Sequence, residues 1–434
     1  EEADLAKEAE KMAAIKSTMT AEQLEQYAFE CAELHRLQAE PDSEEARATI
    51  PLLKRSDIRR QVEVIATEEE SQGNNSLVFV PAVTNKIAYT TWNFDISSVP
   101  ADKLKLCFLL TDILGKFDTK RYTYQEIATN SIMYTGGVSF NVRAISEAEN
   151  AEEYRMYFTM KGKALLENLS KMYDILEAVA LESKLDNLQR FHELLSEIKT
   201  DWDNSFFNKG QNVAIARLYS YCAAGPRANE QDQFSYYQFL KALVENFEEQ
   251  GTAVLADLQK LIKLFFQKSS YILTYSCDPE DKELVKKTCL EFASKLAEAP
   301  IAEKPEKLDA PGINEGITTA GKVQYVAAGG NFAKYGHKYV GAMKVLETML
   351  QGGAYGATAR FELNGLGVFA SYRDPQLEKS LEAYKELPNW LENLDLPARE
   401  LDKYVIGTIS GMDIPLTNTL KVDQANMLFI KKTS

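Results

Sequence analysis

Residues that could bind a catalytic metal are scarce in this sequence. The 434 residues include three histidines, His35, His192 and His337, which lie far apart. His192 and Glu193 begin a His-Glu-x-x-His pattern, but Ser196 stands where its second histidine would be, and neither His-x-x-Glu-His nor Gly-x-Ser-x-Gly occurs. Zinc catalysis needs two or three protein ligands on one face and a carboxylate near the bound water. We therefore predict no metal site and no catalytic residue in this chain.

Two glycine-rich segments superficially match nucleotide-binding loops. Segment 316–322, Gly-Ile-Thr-Thr-Ala-Gly-Lys, lacks the Ser or Thr that binds Mg²⁺ because Val323 follows it, and a strand is predicted next where a P-loop needs a helix. Segment 365–370, Gly-Leu-Gly-Val-Phe-Ala, continues as a strand, so a β-turn or bulge is the better explanation. Nucleotide binding is kept as a third hypothesis, which a nucleotide-induced shift in melting temperature would test.

Charge and cysteine usage exclude several kinds of partner. Lys and Arg number 49 against 64 Asp and Glu, a net charge of −15. Such a chain lacks the basic field that holds nucleic acid or anionic lipid, so we expect no nucleic-acid and no membrane partner, and a cationic substrate would be attracted. The five cysteines form no Cys-x-x-Cys pair, which indicates a reducing compartment: the bacterial cytoplasm, or the matrix of a mitochondrion or plastid.

The first 45 residues predict a helical hairpin that acts as a linker to a preceding part of a longer protein. They are rich in Ala, Glu, Lys and Leu; Thr20 and Gln23 form a capping box for the second helix, and Pro41 ends it. The chain begins inside a helix with neither a signal nor a transit peptide, so we expect a piece of a longer protein.

Residues 46–299 predict a first α+β domain with a long helical segment. Alternating apolar residues predict strands, and helical spacing and capping residues predict helices. The predicted strands are 61–66, 86–96, 138–145, 153–160 and 270–276. The predicted helices are 101–114, one that Thr123 and Glu126 cap, most of 163–268, and 281–296.

Residues 300–312 predict a linker, because Pro300, Pro305 and Pro311 alternate with charged residues. Of the 22 glycines, 14 follow residue 301, so 313–434 is expected to be a turn-rich second α+β domain. Its predicted strands are 323–327 and 357–372, and its predicted helices are 339–350, 377–391 and 398–409. The fold class is thus α+β: two domains with helices packed on mainly antiparallel sheets, preceded by the helical-hairpin linker.

A series of short motifs, in order along the chain, resembles one family. They are Ile50-Pro51 with Ser56-Asp57-Ile58, residues 84–89 before Phe94-Asp95-Ile96, residues 134–139 before 161–165, residues 323–332, Gly352-Gly353-Ala354-Tyr355-Gly356, and Ser371-Tyr372-Arg373-Asp374-Pro375. Together they resemble the C-terminal half of a presequence-protease-type peptidase, in the pitrilysin and insulinase group of inverted-zinc metallopeptidases. The resemblance covers nearly the whole chain.

The resemblance implies half of a closed peptidase chamber. Members of this family have two bowl-like halves joined by a helical hairpin, each made of two α+β domains. The N-terminal half carries His-x-x-Glu-His and the zinc, and the C-terminal half closes the chamber and grips unstructured peptides. The resemblance therefore implies that zinc is held by an N-terminal catalytic half, in the same polypeptide or a separate subunit, and that this chain alone binds no stoichiometric zinc and cleaves no peptide.

The same resemblance names substrate-binding residues. Tyr355, between Gly352-Gly353 and Gly356, matches a family tyrosine near the substrate carbonyl, where a phenol donates a hydrogen bond to a developing oxyanion. Without the family, an aromatic packed at a strand start is the better explanation. A family arginine just upstream has no match, because residues 346–351 run directly into Gly352. The family domain also continues beyond a point like Ser434, so we expect 313–434 to be truncated.

A function from another class fits the same motifs. The chain could be a non-catalytic interaction or scaffold subunit that kept the fold and lost the grip on substrate, and the unmatched arginine favours this alternative. A His-x-x-Glu-His motif in the upstream reading frame would decide for the peptidase.

Overall fold

A computed structural model describes residues 2–300, 303–312, 314–319, 321–352, 356–374 and 376–432. Its contacts divide the chain into two units, Glu1–Ile58 and Arg59–Ser434. None of the helices among these described residues is both long enough and apolar enough to cross a membrane. The domain boundaries expected at residues 45 and 300–312 stay predictions.

The first unit is helical. It contains α1 (Glu2–Ser17), α2 (Ala21–Ala39) and the short α3 (Glu44–Ala48). The predicted capping box is confirmed: the Thr20 hydroxyl accepts the Gln23 N–H at 3.2 Å, and the Gln23 side-chain oxygen accepts the Thr20 N–H at 2.9 Å. Two otherwise unpaired backbone donors are thereby satisfied, which explains why α2 begins at Ala21.

A six-stranded sheet organises the larger part of the second unit. Its strands are β1 (Glu68–Gln72), β2 (Asn75–Phe79), β3 (Ile87–Asp95), β4 (Val138–Glu147), β5 (Asn150–Leu165) and β6 (Tyr271–Ser276). The spatial order is β1-β2-β6-β3-β5-β4, and every pair is antiparallel except β2 with β6. The mixed helices and mainly antiparallel strands confirm the predicted α+β class.

The strand predicted at 61–66 is wrong. That segment has no regular structure, and the side chains of Val62 and Val64 are 87% and 84% exposed. Alternation produces a strand only where a neighbouring strand supplies hydrogen bonds and a core buries one face. Here neither is present among the described residues.

Nine helices are described between β3 and the linker. They are α4 (Leu104–Ile113), α5 (Tyr124–Tyr134), α6 (Leu169–Glu182), α7 (Leu188–Phe206), α8 (Gly210–Cys222), α9 (Ala224–Glu230), α10 (Phe234–Glu245), α11 (Phe247–Phe265) and α12 (Lys282–Ser294). One face of the sheet and these helices, with the exception of α8, form a single apolar core that includes Trp92, Phe94 and Phe158. The indole of Trp92 donates to the buried Tyr173 hydroxyl at 3.0 Å, so even the polar atoms of this core are paired.

A helix near the C-terminus, α16 (Asn418–Lys431), packs against the opposite face of the same sheet. Asn93 lies on that face because side chains alternate along a strand and its neighbour Trp92 faces the core. The Asn426 side-chain oxygen accepts hydrogen bonds from the Asn93 amide at 2.7 Å and the Thr274 hydroxyl at 2.9 Å. Lys161 and Asp423 form an ion pair at 2.6 Å beside them. This contact therefore combines polar pairs with an apolar cluster of Val80, Val422 and Ala425.

A separate three-stranded antiparallel sheet follows the linker. It consists of β7 (Gln324–Asn331), β8 (Ala357–Phe361) and β9 (Leu366–Asp374) in the order β7-β9-β8, with α13 (Gly341–Gly352), α14 (Leu377–Glu392) and α15 (Ala398–Met412). The strand predicted over 357–372 is in fact the β8–β9 hairpin. Gly365 has φ +93° and its N–H donates to the Glu362 carbonyl at 2.9 Å, so the turn explanation of this glycine-rich segment is confirmed.

Residues 303–312 of the linker have no regular structure but contact the first sheet region. The Glu303 N–H donates to the Ser98 hydroxyl at 2.8 Å, and Arg227 donates to the Leu308 carbonyl at 3.2 Å. Further along, β7 rather than a helix follows the Gly316 segment, which is the opposite of P-loop geometry.

Candidate functional site

A cleft of about 470 Å³ opens where α13 ends and β8 begins. It lies at the glycine-rich motif that the family resemblance singles out. Its walls come from α8, α13, β8 and β9, and its polar lining side chains are Gln211, Gln351, Thr358, Arg360 and Tyr372.

Buried polar contacts fix α13 against the end of β8. Glu347, 3% exposed, accepts the backbone N–H of Phe361 at 2.6 Å and pairs with Lys344 at 2.5 Å. At the next residue of α13, the Thr348 hydroxyl accepts a hydrogen bond from the Thr408 hydroxyl of α15 at 2.7 Å. A buried carboxylate is tolerated only when its oxygens are paired, so these contacts hold both sides of the cleft in place.

Gly356 is required by its backbone conformation. Its φ is +93°, and its carbonyl accepts the Tyr372 N–H at 2.7 Å. A Cβ atom added there would lie 2.9 Å from the Tyr372 carbonyl oxygen, so a larger residue would separate β8 from β9. Gly352 is the last residue of α13, whereas Gly353 and Tyr355 lie outside the described residues. The substrate-binding role of these three residues stays a prediction.

The carboxylate of Asp374 fixes the C-terminal end of β9 through hydrogen bonds. Arg373 has φ +53°, a region that non-glycine residues rarely occupy. Asp374 accepts hydrogen bonds from the Ser371 hydroxyl at 2.8 Å, the Gln376 N–H at 2.8 Å and the Ser380 hydroxyl. Burial opposes ionisation of Asp374, but these hydrogen bonds outweigh it and lower the pKa of the carboxyl group.

The cleft offers hydrogen-bond donors rather than a proton-transfer group. The Gln211 amide lies 3.5 Å from the Thr358 hydroxyl, and the exposed Arg360 shares the face of β8 with Thr358. A guanidinium and an amide suit carbonyl or carboxylate oxygens. Sequence reasoning missed Gln211 and Arg360, because neither belongs to a motif and only the tertiary fold brings them to Tyr372.

The described residues do not fit a catalytic zinc. The one group of three or more candidate ligands among them is Asp278, Glu280 and Asp281. Lys86 already pairs with two of these carboxylates, with its Nζ 3.0 Å from Glu280 and 2.7 Å from Asp281. Asp278 accepts the backbone N–H groups of Lys86 and Thr84, each at 2.7 Å, which lowers its pKa. This acidic group therefore stabilises the turn before β3.

The three histidines are in separate parts of the fold. His35 lies on α2, His192 on α7 and His337 after the short helix that follows β7. The His192 ring packs against Phe247 with centroids 4.5 Å apart. No two of them belong to a group of potential metal ligands in the described part of the chain.

Comparisons with known families match both sheet regions in order. The family described as the region associated with subfamily C of the M16 peptidases matches residues 1–243, and the "PreP C-terminal domain" matches residues 314–433. Protein HypA of Clostridium perfringens is 31% identical over 96% of this chain, and presequence protease 1 of Arabidopsis thaliana is 27% identical over 92%. The chain covers only 44% and 38% of those two relatives, less than half of each.

Solved structures support the same fold. A protease from Helicobacter pylori matches 85% of this chain and 90% of its own with a TM-score of 0.57 at 14% identity. An inactive peptidase M16 domain from Pseudomonas fluorescens matches 85% and 88% with a TM-score of 0.59 at 13% identity. The chain thus belongs to subfamily C of the M16 peptidases, as the C-terminal half of a presequence-protease-type enzyme.

Proposed function

We propose that this chain is the substrate-gripping half of a zinc-dependent metalloendopeptidase that degrades unstructured peptides in a closed chamber. The observation that carries the proposal is the order of the two family matches along a chain that spans less than half of its relatives. The missing length is where an N-terminal catalytic half would lie. That half is the proposed partner.

In this proposal the cleft holds substrate and does not perform the bond cleavage. Zinc in the N-terminal half would supply the activated water. Arg360 and Gln211 would bind peptide carbonyl groups, and the phenol of Tyr355 would donate to the oxyanion that forms at the scissile carbonyl. Fixed donors are effective there because they need no reorganisation as charge develops.

The proposed setting is a reducing compartment. The five cysteines are all free. The relatives include a bacterial protein and presequence proteases named as chloroplastic or mitochondrial. We propose the bacterial cytoplasm, or an organelle matrix, as the site of action, with unstructured peptides as substrates and neither nucleic acid nor membrane as a partner.

The decisive experiment replaces Tyr355 by Phe and measures peptide hydrolysis after the N-terminal half is added. Loss of one oxyanion donor lowers kcat/KM by about 100- to 1000-fold. Tyr335→Phe is the matched control, because that tyrosine is 82% exposed. Activity of Tyr355→Phe within a few-fold of wild type would refute the role of Tyr355, and no hydrolysis by the wild-type pair would refute the proposed function.

A non-catalytic scaffold is the second candidate. The unmatched family arginine favours it, and one structural neighbour is itself titled an inactive domain. Such a subunit would leave hydrolysis by the catalytic half unchanged when added. Metal analysis of the chain alone distinguishes both candidates from an independent zinc enzyme. Both candidates predict less than one zinc per chain, whereas an independent zinc enzyme would hold one.

A further inference from the structure

A second and larger cleft, of about 800 Å³, lies beyond the candidate site. Four aromatic side chains line it on the side of α7 and α10, and residues 315–319 with Gly321 line the opposite side. We call it the aromatic cleft and define it by Phe206, Phe207, Phe234 and Tyr237. The glycine-rich segment 316–322, which does not have P-loop geometry, forms part of its lining, and the proposed function does not use it.

The aromatic wall is rigid. Phe234, Tyr237 and Lys241 are spaced at i, i+3 and i+7 on α10 and so share one face. The Phe206 ring stacks on Tyr237 with centroids 4.8 Å apart, and the Lys241 ammonium lies 4.7 Å from the Tyr237 ring centre. These rings are only partly buried, so they present apolar faces to the cleft.

The opposite wall is a segment without regular structure that is held at one end. Glu315 accepts hydrogen bonds from Arg217 at 2.8 and 2.5 Å, and Arg217 also pairs with Glu230 at 3.1 Å. Glu230 is 1% exposed, so this anchor is strong. Residues 316–319 are exposed, and the described residues supply no backbone hydrogen bond to them. Within the described part of the chain, their N–H and C=O groups thus have no backbone partner and can pair with another extended chain.

A line of aromatic rings joins this cleft to the candidate site. Phe207 contacts Tyr325 with centroids 5.7 Å apart, and Tyr325 contacts Tyr372 with centroids 5.4 Å apart. Tyr372 lines the candidate site. The two distances place the rings of Phe207 and Tyr372 within about 11 Å, which is about three residues of extended chain.

We propose that the aromatic cleft binds an aromatic side chain of the same extended peptide that occupies the candidate site. The inference rests on the proposed function, since it assumes a peptide there. Aromatic walls suit an apolar ring, and an exposed segment whose backbone groups have no backbone partner among the described residues suits a peptide main chain. The cleft would select peptides that carry Phe, Tyr or Trp about three residues from the portion held at the candidate site.

The test measures binding by the 434-residue chain alone. Two fluorescein-labelled Gly-Ser-Lys peptides of about twelve residues, roughly 40 Å when extended, differ only by one central Phe or Ala. We expect the Phe peptide to bind with a Kd about 10- to 100-fold lower, the range for burying one such side chain. Phe206→Ala and Gln238→Arg, the second at an exposed residue of the cleft, should each remove this preference. The control Tyr335→Ala, at a tyrosine that is 82% exposed, should keep it.

Equal binding of the two peptides by the wild type would overturn the proposal. So would a preference that survives Gln238→Arg, which changes an exposed residue and leaves the core intact. The same peptides are then offered to the chain joined with the N-terminal half. If both variants lose the preference for the Phe peptide but the joined protein hydrolyses neither peptide, the aromatic cleft is supported and the peptidase function is refuted. Failure of the cleft proposal and failure of the proposed function therefore give different results.

Discussion

Asp232 lies just after α9. The folded protein disfavours the ionised form of its carboxyl group. Its pKa is raised to about 7, first by burial and then by the negative charge of Asp112, while Lys209 opposes the shift. Burial also raises the pKa of Asp112, against a hydrogen bond from the Tyr236 hydroxyl at 2.6 Å. Two carboxyl groups thus share a poorly solvated region.

The consequence for stability follows from linkage. An unfolded aspartate titrates near pH 4, so the folded state binds the proton more tightly between about pH 4 and about pH 7. The free energy of unfolding therefore falls as pH rises through this window and is level above it. The raised pKa corresponds to about 4 kcal/mol at most, and partial solvent contact reduces this toward ~2 kcal/mol.

Asp232→Asn removes the charge and keeps the shape. We expect it to raise the free energy of unfolding by about 2–4 kcal/mol at about pH 8 and by less than about 1 kcal/mol at about pH 4.5. Urea unfolding followed by circular dichroism at both pH values measures the difference. Asp186→Asn, at an exposed carboxyl, is the control and should change stability by less than about 0.5 kcal/mol. A gain of equal size at both pH values would refute the reasoning.

Two other perturbations test the packing of α16 and the linker. Asn426→Ala removes the oxygen that accepts from the Asn93 amide and the Thr274 hydroxyl, so it should cost about 1–3 kcal/mol and speed amide exchange along α16. Gln424→Ala on the exposed side should do neither, and equal exchange in both variants would contradict this. Limited proteolysis should cut first within 300–312, where residues 300 and 303–312 have no regular structure, and first cuts inside 163–268 would contradict the predicted boundary.

Local signals predicted the elements that depend on a few neighbouring residues. The capping boxes at Thr20 and Thr123 form as expected, because both partners lie within one helical turn. The turn at Gly365 was also predictable, since only glycine readily adopts its positive φ. These features need no information from distant parts of the chain.

Elements that depend on tertiary partners were missed. The helix α16 was not predicted, because its buried side combines Val422 and Ala425 with Asn426 and so lacks a clear apolar stripe. The polar surface that accepts it comes from strands more than a hundred residues away, including Asn93. Conversely, the alternation at 61–66 predicted a strand that has no partner among the described residues.

The candidate site shows why sequence reasoning stops where it does. The Gly-Gly-Ala-Tyr-Gly motif marked its position, because the backbone at Gly356 leaves a residue-type signature. Arg360 and Gln211 left none: an exposed arginine on an edge strand and a glutamine on a helix are ordinary surface residues until β8 and α8 are placed side by side. Hydrogen-bond donors that bind a flexible peptide need only lie close together in space. Which residues they are can therefore be seen only from the packing of α8 on the second sheet.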